Sequence, residues 1–478
     1  MHYSAGTRKS LRWRRFRQWL MTSVLVLGTG TGALGLAQTP APLLIQNVTP
    51  LDAHSGIMAT QDVLLVNGRI ADLGQELAVT PAATLIDGTG YFLSPGLWDM
   101  HVHLSYDDRL TPVMASLFLD YGITSVRDTG GKLERLLPVL EAYYTSPASA
   151  PRVFFAGPLL DGTPVVYGGE EGSGIGQSIV SVEEARLRVQ TLHKAGVHFI
   201  KIYEMVSPDV FDAFVQEAEK LALPVAAHVP LSMLASEAAP RVQSLEHLRN
   251  IELDCAKNAE ALLEERRTML AEGREQDSDG MSLRASIHGA QRNAAIANED
   301  VRRCNHVLAS LRNTIQVPTA RLNAMTQFPP FKAPDWPEAL AALPATIRTD
   351  WVKAADYMDP QSYRVAGEWT LSMLPRLVAN NVTIGAGTDT PIGWAIPGYS
   401  LHRELEILVK GGLDNQSALA AATLVPAAFF GLEEKMGKIA VGYAADLLLL
   451  EGNPLEDIRH SRGIRAVISK GEIVRDYR

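Results

Sequence analysis

The sequence predicts an α/β fold, namely a (β/α)8 TIM barrel with a small β domain built from both ends of the chain. The middle of the 478-residue chain alternates short apolar runs with amphipathic stretches, as parallel strands joined by helical crossovers do. Eight such units favour a closed barrel over an open sheet. Strand-like runs near both termini predict that the two ends meet in a second domain.

The predicted barrel occupies residues 95–435. Its eight strands are Gly96–Leu104, Ile123–Asp128, Arg152–Ala156, Phe199–Tyr203, Val225–Val229, Ser244–Leu248, Thr314–Val317 and Val382–Asp389. Helical stretches lie between or after them at Val182–Ala195, Pro208–Leu221 and Asn415–Phe430. Two insertions, residues 256–313 and 322–360, follow the sixth and seventh strands, where they are expected to wall a pocket. Packing against the outer helices or a neighbouring subunit is the alternative.

The second domain is predicted from residues 38–94 and 436–478. Val63–Val66 precedes Asn67-Gly68, a strong hairpin signal when it stands between apolar runs. Ala445–Leu450 and Ala466–Ile468 show the same strand character near the C-terminus. Two strand-rich ends around a different middle indicate one small β domain.

Residues 1–37 have the pattern of a cleaved signal peptide. They hold six basic residues and no acidic one, and an apolar run ends at Gly35-Leu36-Ala37, a small-x-small cleavage pattern. A membrane anchor is the alternative, but glycines dilute the run. Removing the six basic residues takes the formal net charge from −9 to −15, which argues against a nucleic-acid partner. The expected location is periplasmic or secreted.

The chain has two cysteines, Cys255 and Cys304. In an oxidising compartment an even pair indicates one disulfide. A bridge closing a loop of this length would stabilise the fold by ~4 kcal/mol in the chain-entropy model. Two buried free thiols are the alternative.

Five polar side chains suited to a metal site lie at or near the ends of predicted strands. His101 and His103 are two positions apart on one strand, so both imidazoles face the same side. His228, His247 and Asp389 each close another apolar run, at the strand ends where barrels carry their active sites. A single histidine there is usually a satisfied core residue; several strands ending this way predict a metal centre.

Lys201 lies within Phe199–Tyr203, a run otherwise suited to complete burial. An unpaired ammonium would be costly in that position. One solution is an ion pair with Glu204 or Asp128. The other is a carbamate formed with CO2, which would turn the lysine into a carboxylate-like bridge between two metals.

Segments spread over nearly the whole mature chain resemble the amidohydrolase superfamily. They are Ser94–His103, Gly122–Asp128, Phe199–Tyr203, Ala226–His228, Ser244–His247, Gly387–Asp389 and Gly437–Leu447. The chain is most similar to the branch of prolidase-like carboxydipeptidases, imidazolonepropionase-related proteins and amidases such as ochratoxin hydrolases. The resemblance implies a (β/α)8 barrel with a small β-sandwich.

The same resemblance implies a ligand set for two divalent ions. His101, His103 and Asp389 would bind the more buried metal, His228 and His247 the second, and carbamylated Lys201 (N6-carboxylysine) would bridge both. Histidine and carboxylate ligands suit zinc and also accept manganese or cobalt. Deaminases of the superfamily usually carry a catalytic glutamate where this chain has Leu231, three residues after His228. A deaminase is therefore disfavoured.

The expected reaction is attack of a metal-bridging hydroxide on an amide carbonyl, with Asp389 passing the proton to the departing nitrogen. Tyr203 is expected to donate to the oxyanion, or else to pack in the barrel. Arg249 and His402 are candidates for binding a substrate carboxylate, with surface or helix-terminal roles as the alternative.

The expected function is hydrolysis of a C-terminal amide or peptide bond in a small carboxylate-bearing substrate: a dipeptide, an N-acyl amino acid or an ochratoxin-like amide. A cyclic amide or lactone hydrolase is the second hypothesis, and a non-catalytic metal- or ligand-binding protein the third. The expected partner is the small substrate itself, with a homo-oligomer and no stable membrane association after signal cleavage.

Overall fold

The computed structural model describes residues 41–78, 81–169, 173–359, 361 and 363–478. The predicted signal peptide, residues 1–37, lies outside them. In the described residues no helix is long and apolar enough to cross a membrane.

Eighteen strands are present in the part of the chain that the structure describes. They are β1 (Leu43–Asp52), β2 (Gly56–Ile57), β3 (Gln61–Val66), β4 (Arg69–Gly74), β5 (Thr84–Asp87), β6 (Phe92–Pro95), β7 (Leu97–Val102), β8 (Ile123–Asp128), β9 (Arg152–Phe155), β10 (Leu159–Asp161), β11 (Gly176–Ser178), β12 (Ile200–Ile202), β13 (Val225–Ala227), β14 (Ser244–Glu246), β15 (Ile315–Val317), β16 (Leu447–Leu450), β17 (Ile464–Ser469) and β18 (Glu472–Asp476).

The α-helices alternate with the strands in the middle of the chain and cluster in the insertions. They are α1 (Thr111–Asp120), α2 (Leu133–Thr145), α3 (Val182–Lys194), α4 (Pro208–Lys220), α5 (Ala235–Ala238), α6 (Ile251–Asp254), α7 (Ala259–Glu275), α8 (Gly280–Ala297), α9 (Val301–Ser310), α10 (Ala320–Asn323), α11 (Trp336–Ala341), α12 (Ala345–Asp356), α13 (Arg364–Ala379), α14 (Tyr399–Lys410), α15 (Asn415–Ala421) and α16 (Leu424–Phe429).

The central strands are parallel and form two sheets, in the orders β7-β8-β9 and β11-β10-β12-β13-β14-β15. Residues 383–390 connect them on one side, through parallel bridges Val102–Thr390 and Gln316–Ile384. On the other side the amide of His198, just before β12, donates to the carbonyl of Phe155 in β9 at 2.9 Å. Parallel strands with helical crossovers confirm the α/β class, while complete closure into an eight-stranded barrel stays a prediction.

Seven of the eight predicted central strands are present, and each lies within its predicted range of residues. The eighth, Val382–Asp389, is reduced to two isolated bridges. A Cβ added to Gly387 would lie 2.8 Å from the Cβ of His101, so the backbone here passes too close to β7 for a side chain. Strands β10 and β11 were not predicted, because three-residue strands leave little periodicity to detect.

Both ends of the chain contribute to one nine-stranded sheet, ordered β18-β17-β16-β6-β1-β3-β4 with β2 and β5 paired to β1. The predicted hairpin is present: Asn67 and Gly68 have φ values of 50° and 72°, which a two-residue turn between β3 and β4 requires. Apolar residues from both ends, including Ile45, Val63 and Leu449, share one core. The strand order of the described residues does not separate two layers, so the sandwich stays a prediction.

The first insertion folds into α7, α8 and α9, and the Sγ atoms of Cys255 and Cys304 are bonded across it. Asp279 caps α8 by accepting from the amide of Ser282 at 2.8 Å, which fixes where this helix begins. The second insertion lies against the segment that follows Asp389, since the indole of Trp394 donates to the carbonyl of Trp351 at 3.0 Å.

Candidate metal centre

The six predicted ligands lie at the carboxyl ends of the central parallel strands or in the loops directly after them. All six are nearly inaccessible to solvent, with relative exposures of 1% for His101, 4% for His103, 1% for Lys201, 2% for His228, 2% for His247 and 5% for Asp389. Polar groups so deeply buried need partners, so their arrangement indicates what the site is built to hold.

Asp389 contacts two of the histidines through one oxygen. Its Oδ1 lies 3.2 Å from Nε2 of His101 and 3.1 Å from Nε2 of His103. Burial would raise the pKa of the Asp389 carboxyl, but the interaction with His101 and the hydrogen bonds from His101 and His103 hold it well below its usual range. Ligand atoms of His101, His247 and Asp389 all lie within 4.8 Å of one another, close enough to share one ion.

The four imidazoles form a continuous row. Ring centroids are 5.3 Å apart for His103 and His101, 4.7 Å for His101 and His247, and 4.7 Å for His247 and His228. Burial lowers the pKa of His228 to about 3 and that of His247 well below its ordinary value, so these two rings are neutral near pH 7. Neutral imidazole is the form that ligates metals.

Each imidazole is held from behind through Nδ1. The acceptors are Oε2 of Glu246 for His101 (2.7 Å), the carbonyl of Gly130 for His103 (2.9 Å), Oε1 of Glu204 for His228 (2.8 Å) and Oγ1 of Thr319 for His247 (2.6 Å). In the neutral rings of His228 and His247 an outward Nδ1–H leaves the lone pair on Nε2, while Nε2 of His101 and His103 faces Oδ1 of Asp389. This is how metal-ligating histidines are oriented in proteins, and it fits the residues to a metal centre.

Lys201 forms no hydrogen bond with Glu204 or Asp128, the two ion-pair partners considered from the sequence. Asp128 accepts from the backbone amides of Leu104 and Gly130, and Glu204 accepts from Arg284 and His288. The Nζ atom of Lys201 is buried without a hydrogen bond in the part of the chain described. Burial lowers the pKa of Lys201 to about 8, against the opposing charge of Glu246. An amine of this kind is chemically suited to carbamate formation.

Two glutamates that hold the histidines were not predicted as site residues, although Glu204 was considered as an ion-pair partner of Lys201. Glu246 accepts from Arg127 and from the hydroxyl of Ser244, both at 2.8 Å, while it holds His101. Glu204 is fully buried and accepts from His228, Arg284 and His288. Position was the signal available in the sequence: Glu246 ends β14 directly before His247, and Glu204 lies two residues after the end of β12, directly after Tyr203.

Tyr203 and Arg249 both lie close to His228. The ring of Tyr203 is centred 4.3 Å from the imidazole of His228, and burial raises the pKa of Tyr203 well above its ordinary value, so the phenol stays protonated. Burial lowers the pKa of Arg249, and no hydrogen bond or ion pair to its guanidinium is seen among the described residues. The charges of Arg284 and Glu204 act on Arg249, and the charge of Arg249 acts on His228, which places it beside the His228 end of the row.

The expectation that His402 binds a substrate carboxylate is wrong. This residue is buried in α14, its Nδ1 lies 2.9 Å from Oγ of Ser461, and its Nε2 lies 2.9 Å from the carbonyl of Tyr121. With both nitrogens used, and with burial lowering the pKa of His402 to about 3, the ring has neither a free donor nor a charge for a carboxylate. Its role is to join α14 to its neighbours.

The backbone is left-handed at two of the ligands. His247 has a φ of 67° and Asp389 a φ of 61°, a region that residues other than glycine adopt infrequently. Such conformations persist where the surrounding structure fixes them, and they concentrate at functional sites.

Parts of the chain are similar in sequence to known proteins. Residues 348–474 match the sequence model of the Amidohydrolase family. Adenine deaminase 2 of Rhizobium etli is 37% identical over 95 residues, which is 20% of this chain and 16% of that protein. A dihydroorotase of Citrifermentans bemidjiense is 45% identical over 62 residues, 13% of this chain and 15% of that protein. The chain thus matches only about a sixth of the length of these relatives.

Solved structures share the fold over nearly the whole described chain. A putative prolidase from Bifidobacterium longum is 23% identical, with a TM-score of 0.63 over 91% of this chain and 95% of that one. Ochratoxinase of A. niger is 20% identical, with a TM-score of 0.61 over 92% of this chain and 96% of that one. Such structural neighbours imply a TIM-barrel-type fold. The described chain therefore has the fold of these structures, and its residues 348–474 are similar in sequence to the Amidohydrolase family.

Proposed function

We propose that the chain is a dinuclear metal-dependent hydrolase that cleaves the C-terminal amide or peptide bond of a small substrate bearing a carboxylate. Dipeptides, N-acyl amino acids and ochratoxin-like amides belong to this class. The observation that carries the proposal is the row of four buried imidazoles, each fixed through Nδ1, which ends beside a buried lysine and an ionised aspartate.

The proposed ligands divide into two groups along the row. His101, His103 and Asp389 would hold one divalent ion, and His228 and His247 the other, with zinc the best match to these donors. When bound, the ions polarise the scissile carbonyl and lower the pKa of a water molecule.

Lys201 is the proposed bridge between the two groups. Its neutral amine would attack the carbon of CO2 and release one proton, which leaves a carbamate with two oxygens. The buried, unpaired Nζ supports this assignment, because a permanent ammonium at this position would have no counter-ion within hydrogen-bonding distance in the described chain.

Asp389 is the proposed proton carrier. Its Oδ1 faces His101 and His103, so we assign to the second carboxylate oxygen the proton taken from the attacking water and given to the departing nitrogen. Since the pKa of Asp389 is held well below its usual range, the carboxylate begins the cycle ionised.

Tyr203 and Arg249 are the proposed substrate-binding residues. The protonated phenol of Tyr203 would donate to the oxygen of the scissile carbonyl as negative charge develops there. The guanidinium of Arg249 would pair with the substrate carboxylate, a geometry that arginine recognises through two parallel hydrogen bonds.

A deaminase is a poor match despite the short similarity to adenine deaminases. Leu231 stands where deaminases of this superfamily usually carry a catalytic glutamate. It is fully buried in an apolar cluster with Tyr203 and Met205, and so leaves no acid at that position.

Residues 1–37 are proposed to export the chain, so that the hydrolase works in the periplasm or outside the cell. We also propose that the chain forms a homo-oligomer and that neither nucleic acid nor a membrane is its partner.

The test is a hydrolysis screen on purified protein of known metal content. Dipeptides, N-acyl amino acids, hydantoins and lactones form the panel, and hydrolysis of the first two classes is expected. Chelation should abolish turnover and zinc should restore it, while Lys201→Ala and Asp389→Asn should be inactive. Full activity after chelation or in either variant would overturn the proposal, and turnover of cyclic amides or lactones alone would favour the second hypothesis. A metal-loaded protein without any turnover would be a binding protein.

A further inference from the structure

Three tyrosines link the two ends of the histidine row. Ring centroids are 6.2 Å apart for His103 and Tyr106, 6.3 Å for Tyr106 and Tyr167, 5.7 Å for Tyr167 and Tyr203, and 4.3 Å for Tyr203 and His228. We call these three residues the tyrosine arc. Its members come from separate parts of the chain, so the arc is a product of the fold and not of one local motif.

The hydroxyl groups of the tyrosine arc make no hydrogen bond to any residue that the structure describes. Tyrosines elsewhere in the described chain do make such bonds; Tyr399, for example, donates to Asp335 at 2.8 Å. Burial raises the pKa of Tyr106 and Tyr167, so these phenols are neutral near pH 7. Neutral rings with free hydroxyls present an aromatic surface that can also donate hydrogen bonds.

The arc is backed by a small apolar cluster. Leu159, Val166 and Ile175, together with Leu283 and Ile287 of α8, form one apolar cluster with the three tyrosines. The rings are therefore supported by well-packed side chains, and their mutual contacts are edge-to-face, with interplanar angles of 75° for Tyr106 and Tyr167 and 68° for Tyr167 and Tyr203. Another aromatic ring meets such a surface in the arrangements that aromatic pairs prefer.

Charge differs between the two ends of the arc. The guanidinium carbon of Arg284 lies 6.0 Å from the ring centre of Tyr203, and the charge of Arg249 acts on both Tyr167 and Tyr203. Tyr106 adjoins Asp389 and His103 and has no arginine among the groups that act on it. A ligand with an uncharged ring at one end and an anion at the other matches this polarity.

We propose that the tyrosine arc is a subsite for an aromatic acyl group, so that the preferred substrates are N-aroyl amino acids or dipeptides with an aromatic first residue. The inference rests on the proposed function and narrows its substrate class. The aromatic ring would lie against Tyr106 and Tyr167, and the carboxylate of the leaving amino acid would point to Arg249 beside Tyr203.

The test compares N-benzoylglycine with N-acetylglycine as substrates and, by calorimetry, as ligands. Two aromatic contacts should favour the benzoyl compound by about tenfold in kcat/KM and in affinity. Tyr106→Leu and Tyr167→Leu should each reduce the ratio by about threefold, and Tyr106→Phe should keep it. Tyr144→Leu, an exposed tyrosine of α2, is the matched control and should leave the ratio unchanged.

The outcomes separate the subsite from the reaction. Hydrolysis of both compounds at equal rates would overturn the aromatic subsite and leave the hydrolase intact. Absence of turnover with a tenfold binding preference that Tyr106→Leu reduces would overturn the hydrolase and support the subsite. Equal binding of the two compounds, or a ratio that both leucine variants leave unchanged, would overturn the subsite in either case.

Discussion

Arg284 binds both oxygens of Glu204, with Nε to Oε2 and Nη2 to Oε1 each at 3.0 Å. Glu204 in turn accepts from Nδ1 of His228 at 2.8 Å and faces Nε2 of His288 at 2.9 Å. Burial would raise the pKa of Glu204, but the charge of Arg284 and the hydrogen bonds from His228 and His288 keep it well below its usual range. A helix of the first insertion therefore controls the orientation of a proposed metal ligand, His228, that directly follows the central strand β13.

Arg284→Gln should weaken metal binding at the His228 end of the site. Without the bidentate arginine, Glu204 is a buried carboxylate with fewer partners and holds His228 less firmly. Changes in such outer contacts typically cost about 10- to 100-fold in metal affinity. Competition with a chromophoric chelator should show one weakened site per chain. Arg302→Gln, an exposed arginine of α9, should bind metal as the wild type does, and an equal loss in both variants would contradict the coupling.

Lys201 should make the metal-free protein more stable as the pH rises above 8. Burial lowers its pKa from 10.5 to about 8, so between these values the unfolded chain binds more protons than the folded one. The free energy of unfolding therefore increases with pH in this window, by at most about 3 kcal/mol. Urea unfolding in CO2-free buffer would measure the difference between wild type and Lys201→Met. If the free energies of unfolding of the two proteins differ by the same amount at pH 7.5 and pH 10, the buried amine does not titrate in this way.

Loss of the Cys255–Cys304 disulfide should destabilise the first insertion. The two residues are 49 positions apart, for which loop-closure entropy predicts a loss of about 4 kcal/mol. Chemical unfolding of Cys255→Ala/Cys304→Ala should show this loss, and a reducing agent should destabilise the wild type alone. Because α8 lies within the bridged segment, metal affinity should fall as well. An unchanged affinity together with lower stability would mean that α8 is held by its packing alone.

Arg321 should matter for turnover more than for substrate binding. Its guanidinium is buried and donates to the carbonyls of Thr388 and Ile392, both at 3.0 Å, and to that of Gly393. These contacts fix the loop that carries Asp389. Arg321→Met leaves the carbonyls without donors, at about 1–3 kcal/mol each, and loosens the proposed proton carrier. We expect a lower kcat with little change in KM. Arg348→Met, which removes similar carbonyl contacts on α12, should lower the melting temperature and leave kcat unchanged.

The central ligands could be predicted from the sequence because strand geometry reveals them. His101 and His103 share a face through the two-residue period, and His228 and His247 directly follow the apolar runs that became β13 and β14. The strand bounds were too long, since an apolar run continues past the point at which the hydrogen-bond ladder ends. His402 failed because a histidine on an amphipathic helix carries no signal for which neighbours will occupy its nitrogens.

The outer contacts of the site could not be predicted in the same way. Arg284 reaches Glu204 across 80 positions of sequence, and only the fold of the insertion determines which face of α8 meets the strand ends. Likewise, no sequence pattern indicates that Thr319 accepts from Nδ1 of His247. The position of Thr319 depends on its own left-handed backbone conformation, with φ at 44°. Pairings that depend on tertiary structure leave no local period in a single sequence.

The nine-stranded sheet has a consequence for how the chain is made. Strand β6 pairs with β1 on one edge and with β16 on the other, where Leu93 is opposite Leu449, so this second edge has its partner only when almost all of the chain has been synthesised. Until then this edge of β6 stays open, as an unpaired, apolar edge that other chains can join. Premature termination anywhere before residue 447 would therefore yield an aggregation-prone product rather than a smaller working protein, and a chaperone that holds β1–β6 during synthesis would raise the yield of the complete one.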